Sequence, residues 1–316
     1  MKYNDDAALD TSEVQDARSG GGGLGRLLPS GRGGMAVGGG GLGVLGVLAY
    51  LLVSYLGANG GSKEITDVLA QLGQGSGAHT ADNTQVAAQC NTGRDANRSL
   101  DCAVVADIDS IQQYWASELP KLGRSYQPVT TIWFTGRVST ACGAANSGSG
   151  PFYCPADKHV YLDLSFYDDL KTQFGAQGGL FVDAYVLAHE YGHHVQDLLG
   201  TEAKVRPGQT GPKSGSVRLE LQADCYAGVW ANHATTVPDA NGKPLIVDVT
   251  ADDIARALDT AARIGDDYIQ KNLGSGTIDQ NTFTHGSSTQ RKKWFTTGYR
   301  GGDPRACDTF GTDNLG

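Results

Sequence analysis

The sequence predicts one α+β domain in which two strands precede most of the helices. Segments 128–138 and 159–166 are rich in β-branched and aromatic residues, and apolar residues alternate with polar ones in the second, which is typical of strands. From residue 180 onwards, apolar residues recur with helical spacing and are bounded by typical helix-end residues. A run of strands followed by a run of helices is a pattern of α+β folds.

The helices are predicted from periodicity together with the residues at their ends. The first is expected at 111–119, after Asp109 or Ser110 as its cap and before Pro120. Four more are expected, at 180–199 before Gly200, at 217–233, at 252–271 after Thr250, and at 289–298, where Ser287 and Gln290 form a capping-box pattern.

The first third of the chain is too rich in glycine to contribute much packed core. We predict a disordered cytoplasmic arm at 1–34, a transmembrane signal anchor at 35–57, a linker at 58–88 and one folded domain at 89–316. Arginines before the apolar run place the N-terminus inside and the folded domain outside the cytoplasmic membrane. A cleaved signal peptide is the alternative, because the convincing apolar part, 42–56, is shorter than a typical span.

The charge of the chain argues against a nucleic-acid partner. The formal net charge is −9, from 25 basic and 34 acidic residues, and no long basic run occurs. Binding to nucleic acid requires clustered lysine and arginine side chains that displace counterions from phosphates. The composition therefore favours an acidic domain with another kind of partner.

The six cysteines are expected to form disulfides, because none of them has the C-x-x-C spacing of a structural zinc cluster. The sequence alone leaves the pairing open. Short separations favour two pairs and leave a third, which are Cys90 with Cys102, Cys142 with Cys154, and Cys225 with Cys307. Disulfides imply an oxidising compartment.

A His-Glu-x-x-His motif stands at 189–193, inside one of the predicted helices. His189 and His193 are one turn apart on the same helix face, so that their imidazoles can share a cation. Glu190 projects about 100° around the helix from His189, where it can deprotonate a water molecule on that cation and later protonate the leaving amine. A helix that carries two histidines by chance is the alternative.

A catalytic zinc takes three protein ligands and leaves its fourth position to water. Glu220, on the next predicted helix, is the expected third ligand. Asp224 follows it on the same face and would accept the N–H of a liganding histidine, His189. An ordinary solvated acidic face is the alternative, but the apolar flanks of this helix indicate burial, and buried carboxylates need partners.

These segments together resemble the bacterial neutral zinc metallopeptidases, a family in the zincin group whose third ligand is glutamate. The resemblance rests on several short segments, namely VQDAR, LPSGRGG, the apolar run, YCPADKHVYLD, HEYGHHVQ, ELQADCYAGVW and HGSSTQR. It implies a glutamate-zincin fold with a small β-sheet packed on the active-site helix. It also implies one Zn²⁺ per chain on His189, His193 and Glu220, with Glu190 as catalytic acid and base.

Three further expectations concern the surroundings of the site. By similarity to zincins, the strand that contains Tyr161–Leu164 would be the sheet edge along which a substrate chain lies. His285 precedes a capped helix and would stabilise the oxyanion formed during hydrolysis, although simple packing of its loop is an equal alternative. His194 is expected to be structural, because it points away from the other two histidines.

The sequence thus predicts a zinc metallopeptidase domain at 89–316 that acts on a peptide or protein substrate, held at the outer side of the cytoplasmic membrane by a single N-terminal helix. Two alternatives stay open at this point. One is a membrane-tethered binding or scaffold protein that keeps zinc for folding, and the other is a zinc amidase that acts on cell-wall material.

Overall fold

A computed structural model of the chain describes residues 1–18, 81–206 and 208–316. The helices in this part are α1 (Thr84–Gln89), α2 (Gly93–Ala96), α3 (Leu100–Glu118), α4 (Phe166–Thr172), α5 (Leu180–Leu199), α6 (Gly215–His233), α7 (Ala251–Arg263), α8 (Asp266–Asn272) and α9 (Ser288–Gly301). The strands are β1 (Lys2–Tyr3), β2 (Val14–Asp16), β3 (Thr131–Trp133), β4 (Arg137–Thr140), β5 (Gly143–Asn146), β6 (Phe152–Cys154), β7 (His159–Leu162) and β8 (Ile246–Asp248).

The fold is mixed α and β with small sheets, in agreement with the predicted α+β class. The largest sheet has the strand order β2-β3-β7-β6. Its first three strands are parallel, and β6 is antiparallel to β7 at one edge. Helices α5 and α6 pack on each other, and α9 packs closely on α6. The last contact is possible because Gly228 and Gly298 face the partner backbones, where a Cβ atom would overlap with Phe295 and Cys225 respectively.

Residues 1–18 are part of the folded domain. For these residues, the prediction of a disordered arm at 1–34 is wrong. Strand β1 pairs with β8, and β2 pairs in parallel with β3. The side chains of Tyr3, Ala7 and Val14 are completely buried. The domain therefore begins well before residue 89, because apolar side chains of this segment complete the core.

The predicted single-pass arrangement is also contradicted. Among the described residues, no helix has the length and apolar character needed to span a bilayer. The predicted anchor at 35–57 lies outside the described residues. On either side of the undescribed stretch, Asp82 donates its backbone N–H to Asp16 at 2.8 Å, and Arg18 pairs with Asp101 at 2.6 Å. Each N-terminal strand is hydrogen-bonded to a later strand, β1 to β8 and β2 to β3, so the two parts of the chain cannot lie on opposite sides of a membrane.

Local signals predicted some helix ends well and others poorly. Helix α5 spans Leu180–Leu199 as predicted and ends at Gly200, which has a φ of 72°. Helix α9 begins with the predicted capping box of Ser287 and Gln290. Helix α3 begins at Leu100, well before the predicted start, because its buried face is longer than the apolar repeat that the sequence shows.

Two predicted elements are each divided by a glycine. The strand expected at 128–138 is split into β3 and β4, with a turn at Gly136 whose φ is 77°. The helix expected at 252–271 is split into α7 and α8 at Gly265. A Cβ atom at Gly265 would lie 2.5 Å from the backbone nitrogen of Ser288, so this glycine allows the close approach of α9.

All three favoured disulfides are present, which confirms the pairing that loop lengths suggested. Cys90 is bonded to Cys102 and Cys142 to Cys154, each over a separation of 12 residues. The third bond joins Cys225 on α6 to Cys307 over a separation of 82 residues and ties the C-terminal segment to that helix. The third bond therefore fixes two parts of the fold that are far apart in sequence.

Candidate metal centre

Helices α5 and α6 bring three side chains to one point. His189 and His193 lie one turn apart on α5, and Glu220 faces them from α6; all three are buried. The Nε2 atom of His189 is 3.2 Å from Oε2 of Glu220, and Nε2 of His193 is 3.6 Å from Oε1 of Glu220. One donor atom from each residue can be chosen so that all lie within 4.8 Å of one another.

This arrangement fits a zinc ion. Two imidazole nitrogens and one carboxylate oxygen are the ligand set of a common class of catalytic zinc sites, which keep a fourth position for water. Tetrahedral bonds of about 2.1 Å place ligand atoms about 3.4 Å apart, close to the two distances above. The residues present therefore suit the metal that the sequence predicts.

The glycine inside the motif helps to bring the two helices together. Gly192 faces α6, where an added Cβ would lie 3.0 Å from the Cα atom of Ala223. That separation is shorter than ordinary van der Waals contact, so a larger residue at this position would push α6 away. Glu220 would then move away from the histidines of α5.

His189 is held from behind by a buried ionic cluster. Its Nδ1 atom lies 2.9 Å from Oδ1 of Asp224, the partner that the sequence predicts. Asp224 also accepts hydrogen bonds from the hydroxyl of Tyr185 at 2.7 Å and from Nε and Nη2 of Arg291 at 2.8 and 3.0 Å. The Asp224 side chain has no solvent exposure. The carboxylate thereby fixes the ring of His189 and leaves Nε2 to face Glu220.

The charges of this cluster determine its protonation. Burial raises the pKa of Asp224, but the Arg291 and His189 charges outweigh burial and lower it to about 2. Burial lowers the pKa of His189, but Asp224 and Glu220 outweigh this effect and raise it to about 10. Burial raises the pKa of Glu220, yet the surrounding histidines hold it well below its usual value. Both acidic groups are therefore carboxylates at neutral pH.

Arg291 was not singled out by the sequence, although it stands at the end of the HGSSTQR segment. A signal was available, because Arg291 shares a helical face with Trp294 and Phe295, and a charge on an apolar face needs a buried partner. What the sequence could not show is that this partner is Asp224, 67 residues earlier in the chain.

His193 is held differently, by neutral amides. Its Nδ1 atom lies 2.9 Å from Oε1 of Gln196, which is completely buried. Gln196 in turn contacts the side chain of Gln222 on α6 at 3.2 Å. Neither glutamine was predicted as part of the site, because buried amides have no distinctive spacing in a sequence.

Glu190 lies beside the three converging residues and contacts the sheet. Its Oε2 atom accepts the backbone N–H of Tyr153 on β6 at 3.1 Å. Burial raises the pKa of Glu190 to about 7. The charge of Glu220 raises this pKa further, whereas the charge of His189 lowers it. A carboxyl group with such a pKa can both accept and return a proton near neutral pH.

The predicted sheet edge is wrong. The strand with Tyr161 is β7, which is paired on both sides, with β3 and with β6. The outer strand next to the site is β6, whose Phe152 and Tyr153 line the same cavity as the histidines. The alternating pattern of 159–166 identified a strand, but its position in the sheet depends on pairing that the pattern does not contain.

The structure places His285 in the same cavity as the three converging residues. Asp266 organises its loop, because one carboxylate oxygen accepts the backbone N–H groups of Thr284, His285 and Gly286 at 2.7 to 2.8 Å. The other carboxylate oxygen lies 3.3 Å from Nδ1 of the His285 ring. The ring is thus oriented by a buried carboxylate.

His194 stays outside the group of converging residues. It is buried, with Nε2 at 2.8 Å from the backbone oxygen of Gln127 and Nδ1 at 3.1 Å from the hydroxyl of Tyr153. Burial lowers its pKa to about 4. One ring nitrogen thus contacts the segment before β3 and the other contacts β6, as expected of a structural residue.

The site opens into a cavity between the helices and the sheet edge at β6. Apart from the histidines, the carboxyl groups, Arg291 and Ser149, the lining is aromatic or aliphatic. The apolar part of the lining includes Phe166, Phe174, Val186, Ile264 and Ile269. Glu202 adds one more carboxylate to the lining.

Comparisons with known proteins relate the chain to a family that is named for zinc. A family model described as "Putative neutral zinc metallopeptidase" matches residues 1–310. The uncharacterized protein Rv2575 of Mycobacterium tuberculosis is 49% identical over 229 residues, which are 72% of this chain and 76% of that relative. The uncharacterized protein YpfJ of Escherichia coli is 37% identical over 312 residues, or 96% of each chain.

No solved structure matches the chain. The family model includes the N-terminal strands as well as the helices of the site. This protein therefore belongs to the neutral zinc metallopeptidase family.

Proposed function

We propose that this protein hydrolyses peptide bonds with one zinc ion, on a glutamate-zincin fold. The observation that carries the proposal is the convergence of His189, His193 and Glu220 beside the buried carboxyl group of Glu190. A structural zinc site is normally closed by four protein ligands, whereas three ligands beside a proton-accepting group are typical of hydrolases.

Each residue then has a defined task. When bound, zinc supplies a Lewis acid that polarises the substrate carbonyl and acidifies a water molecule. The carboxylate of Glu190 accepts the proton of that water and transfers it to the nitrogen of the leaving amine. The hydrogen bond from Tyr153 holds this carboxylate in place on the cavity side of α5.

His285 is the proposed stabiliser of the negative charge that develops on the carbonyl oxygen. Asp266 binds Nδ1 of the ring. Nε2 has no hydrogen-bond partner among the described residues and is therefore available to the substrate. The ring is oriented before substrate arrives, so its contribution does not require reorganisation during the reaction.

The cavity favours a substrate with a large apolar side chain next to the cleaved bond. Val186 lies one turn before Glu190 on α5, so the two side chains occupy the same face. Ile264 lies two residues before Asp266, which orients His285. Apolar walls therefore adjoin the catalytic groups.

The test combines metal content with peptide cleavage by the purified full chain. We expect about one zinc per chain, and we expect Glu190→Gln to lower kcat/KM by a factor of about 10² to 10⁴ while zinc stays bound. Glu118→Gln, a change on α3 away from the cavity, is the matched control and should leave cleavage unchanged. A chain without zinc, or full cleavage by Glu190→Gln, would contradict the proposal.

Peptides that differ at a single position test the substrate class. Peptides with leucine or phenylalanine next to the cleaved bond should be cleaved faster than those with aspartate. Ile269→Asp should weaken this preference through KM, because it places a charge in the apolar wall. Equal cleavage of both peptides by the wild type would contradict the apolar preference but leave peptide hydrolysis intact.

A further inference from the structure

The amide chain behind His193 leads to the C-terminal segment. Gln196 Nε2 donates to the backbone oxygen of Leu219 at 2.7 Å and to Oε1 of Gln222 at 3.2 Å. Gln222 Nε2 donates to the backbone oxygen of Cys307 at 2.8 Å. The chain therefore runs from His193 through two side-chain amides to a residue near the end of the protein. Both glutamines are buried.

The direction of these hydrogen bonds is fixed by two backbone carbonyls, that of Leu219 beside Gln196 and that of Cys307 beside Gln222. A carbonyl oxygen can only accept, so each carbonyl must face the NH₂ group of its glutamine. The Oε1 atom of Gln222 must then face Gln196, and the Oε1 atom of Gln196 must face His193. Neither amide can rotate by 180° without placing two acceptors, or two donors, in contact.

This direction determines the tautomer of His193. Because an oxygen atom faces Nδ1, that nitrogen must carry the proton and donate it. The lone pair of the neutral ring then resides on Nε2, which faces Glu220 at 3.6 Å. Only this tautomer can bind a cation through Nε2.

The last carbonyl of the chain is held by a disulfide bond. Cys307 is bonded to Cys225, which lies one turn after Gln222 on α6. The bond thus keeps the Cys307 carbonyl above the Gln222 side chain. Other contacts dock the same segment on α6. The guanidinium of Arg218 donates to the backbone oxygen of Thr312 at 2.7 Å, and the backbone oxygen of Arg218 accepts from the hydroxyl of Thr309 at 2.7 Å.

We propose that the Cys225–Cys307 disulfide is a positioning element of the metal centre, which sets the tautomer of His193 through Gln222 and Gln196 and thereby slows the release of zinc. The inference rests on one part of the proposed function, namely that zinc binds at this site. It assigns to the C-terminal segment a role in metal retention, separate from the stability that any disulfide confers.

The experiment follows the transfer of zinc from the full chain to an excess of a chromogenic chelator. The variant without the bond, Cys225→Ser with Cys307→Ser, should release zinc about tenfold faster or more, the usual effect of losing a partner behind a metal ligand. The control is Cys90→Ser with Cys102→Ser, which removes a disulfide far from α6 in sequence. This control should release zinc at the wild-type rate.

A second variant separates positioning from folding. Gln222→Met keeps the disulfide and the side-chain length but removes both amide hydrogen bonds, and we expect faster release of zinc from it as well. If the variant without the disulfide does not fold, Gln222→Met decides the question. Wild-type release by Gln222→Met, or equal acceleration by both disulfide removals, would overturn the inference.

A spectroscopic readout reports the tautomer directly. In the chelator-treated chain with ¹⁵N-labelled histidine, His193 should show a protonated Nδ1 in the wild type and a mixture of tautomers in Gln222→Met. A purely structural role of Gln222 would leave this signal unchanged. A wild-type chain that retains no zinc would overturn the proposed function as well, whereas zinc binding with unchanged variants would overturn only this inference.

Discussion

His189 and His193 stand one turn apart on the same face of α5, but the groups behind them differ in charge. His189 is backed by the carboxylate of Asp224, which is itself paired with the guanidinium of Arg291. His193 is backed by the neutral amide of Gln196. Each ring presents Nε2 toward Glu220, yet one is held by a buried ion pair and the other by a neutral hydrogen-bond chain.

The difference shows that the orientation of a histidine ring and its basicity can be set separately in this site. Both supports fix a ring and a tautomer, but only a carboxylate also makes the imidazole a stronger electron donor to a metal. An ion pair carries a larger penalty when one partner is removed, because a buried charge is then left uncompensated. Neutral amides lose only hydrogen bonds.

The largest effect is expected from Arg291→Met, which removes the cation of the charged support. The free energy of unfolding should fall by about 3 to 5 kcal/mol, because Asp224 is left buried without its partner. Denaturant unfolding monitored by circular dichroism measures this change. Arg256→Met is the matched control, since Arg256 forms an exposed pair with Asp252 that should contribute only about 0.5 kcal/mol.

The control and the variant should therefore differ several-fold in their effect on stability. Equal losses for Arg291→Met and Arg256→Met would show that the buried pair is no stronger than a surface pair. The contrast between the two histidine supports would then be wrong.

The two supports also differ in how stability depends on pH in the acidic range, because Asp224 titrates there and Gln196 does not. The folded-state pKa of Asp224 is about 2, below its ordinary value of 3.8. A lowered pKa gives stability that is present above pH 3.8 and is lost as the pH falls toward 2. For metal-free protein, this loss amounts to about 2 kcal/mol.

Asp224→Asn should remove this part of the acid limb, so that its stability changes less between pH 4 and pH 2 than that of the wild type, about 2 kcal/mol less. Gln222→Met changes a neutral side chain behind His193 and removes no titrating group. Its stability curve should therefore run parallel to that of the wild type. Unfolding measured at several acidic pH values, in the presence of a chelator, checks both curves. A parallel curve for Asp224→Asn would contradict the prediction.

A smaller effect is expected from Gln196→Met, which removes the neutral support of His193 directly. Stability should fall by about 1 to 2 kcal/mol, because Nδ1 of a buried ring loses its acceptor. Thermal unfolding of the metal-free chain measures the change. A loss as large as that of Arg291→Met would show that the two supports contribute equally to stability.

The smallest effect is expected from Tyr185→Phe. The hydroxyl of Tyr185 is a neutral donor to Asp224, which keeps its bonds to His189 and Arg291 after the change. We expect a loss of about 1 kcal/mol or less, with the rate of zinc release unchanged. A marked acceleration of zinc release would show that Tyr185 itself orients the carboxylate.

Much of the candidate site could be predicted because its residues obey helical spacing. His189, Glu190 and His193 share one turn of α5, and Glu220 and Asp224 share one turn of α6. The disulfides could be predicted for another local reason, since short separations in sequence constrain pairing. The residues that were missed, Arg291 among them, act across helices rather than along one.

The fold shows the same division. Periodicity and capping residues identified α5 and α9, because both signals are local. The N-terminal strand β2 was not predicted, since its partner β3 lies more than a hundred residues later and the three-residue segment has no pattern of its own. The order of strands that makes β6 the edge is likewise a property of pairing and not of any one strand.

By itself, the sequence determined a pair of helices that carry two histidines and three carboxyl side chains, because side chains at i and i+4 must share a face. Only the tertiary structure decided what stands behind each histidine. It placed Arg291 against Asp224 and the Cys307 carbonyl against Gln222, since those contacts depend on how α6, α9 and the C-terminal segment pack together.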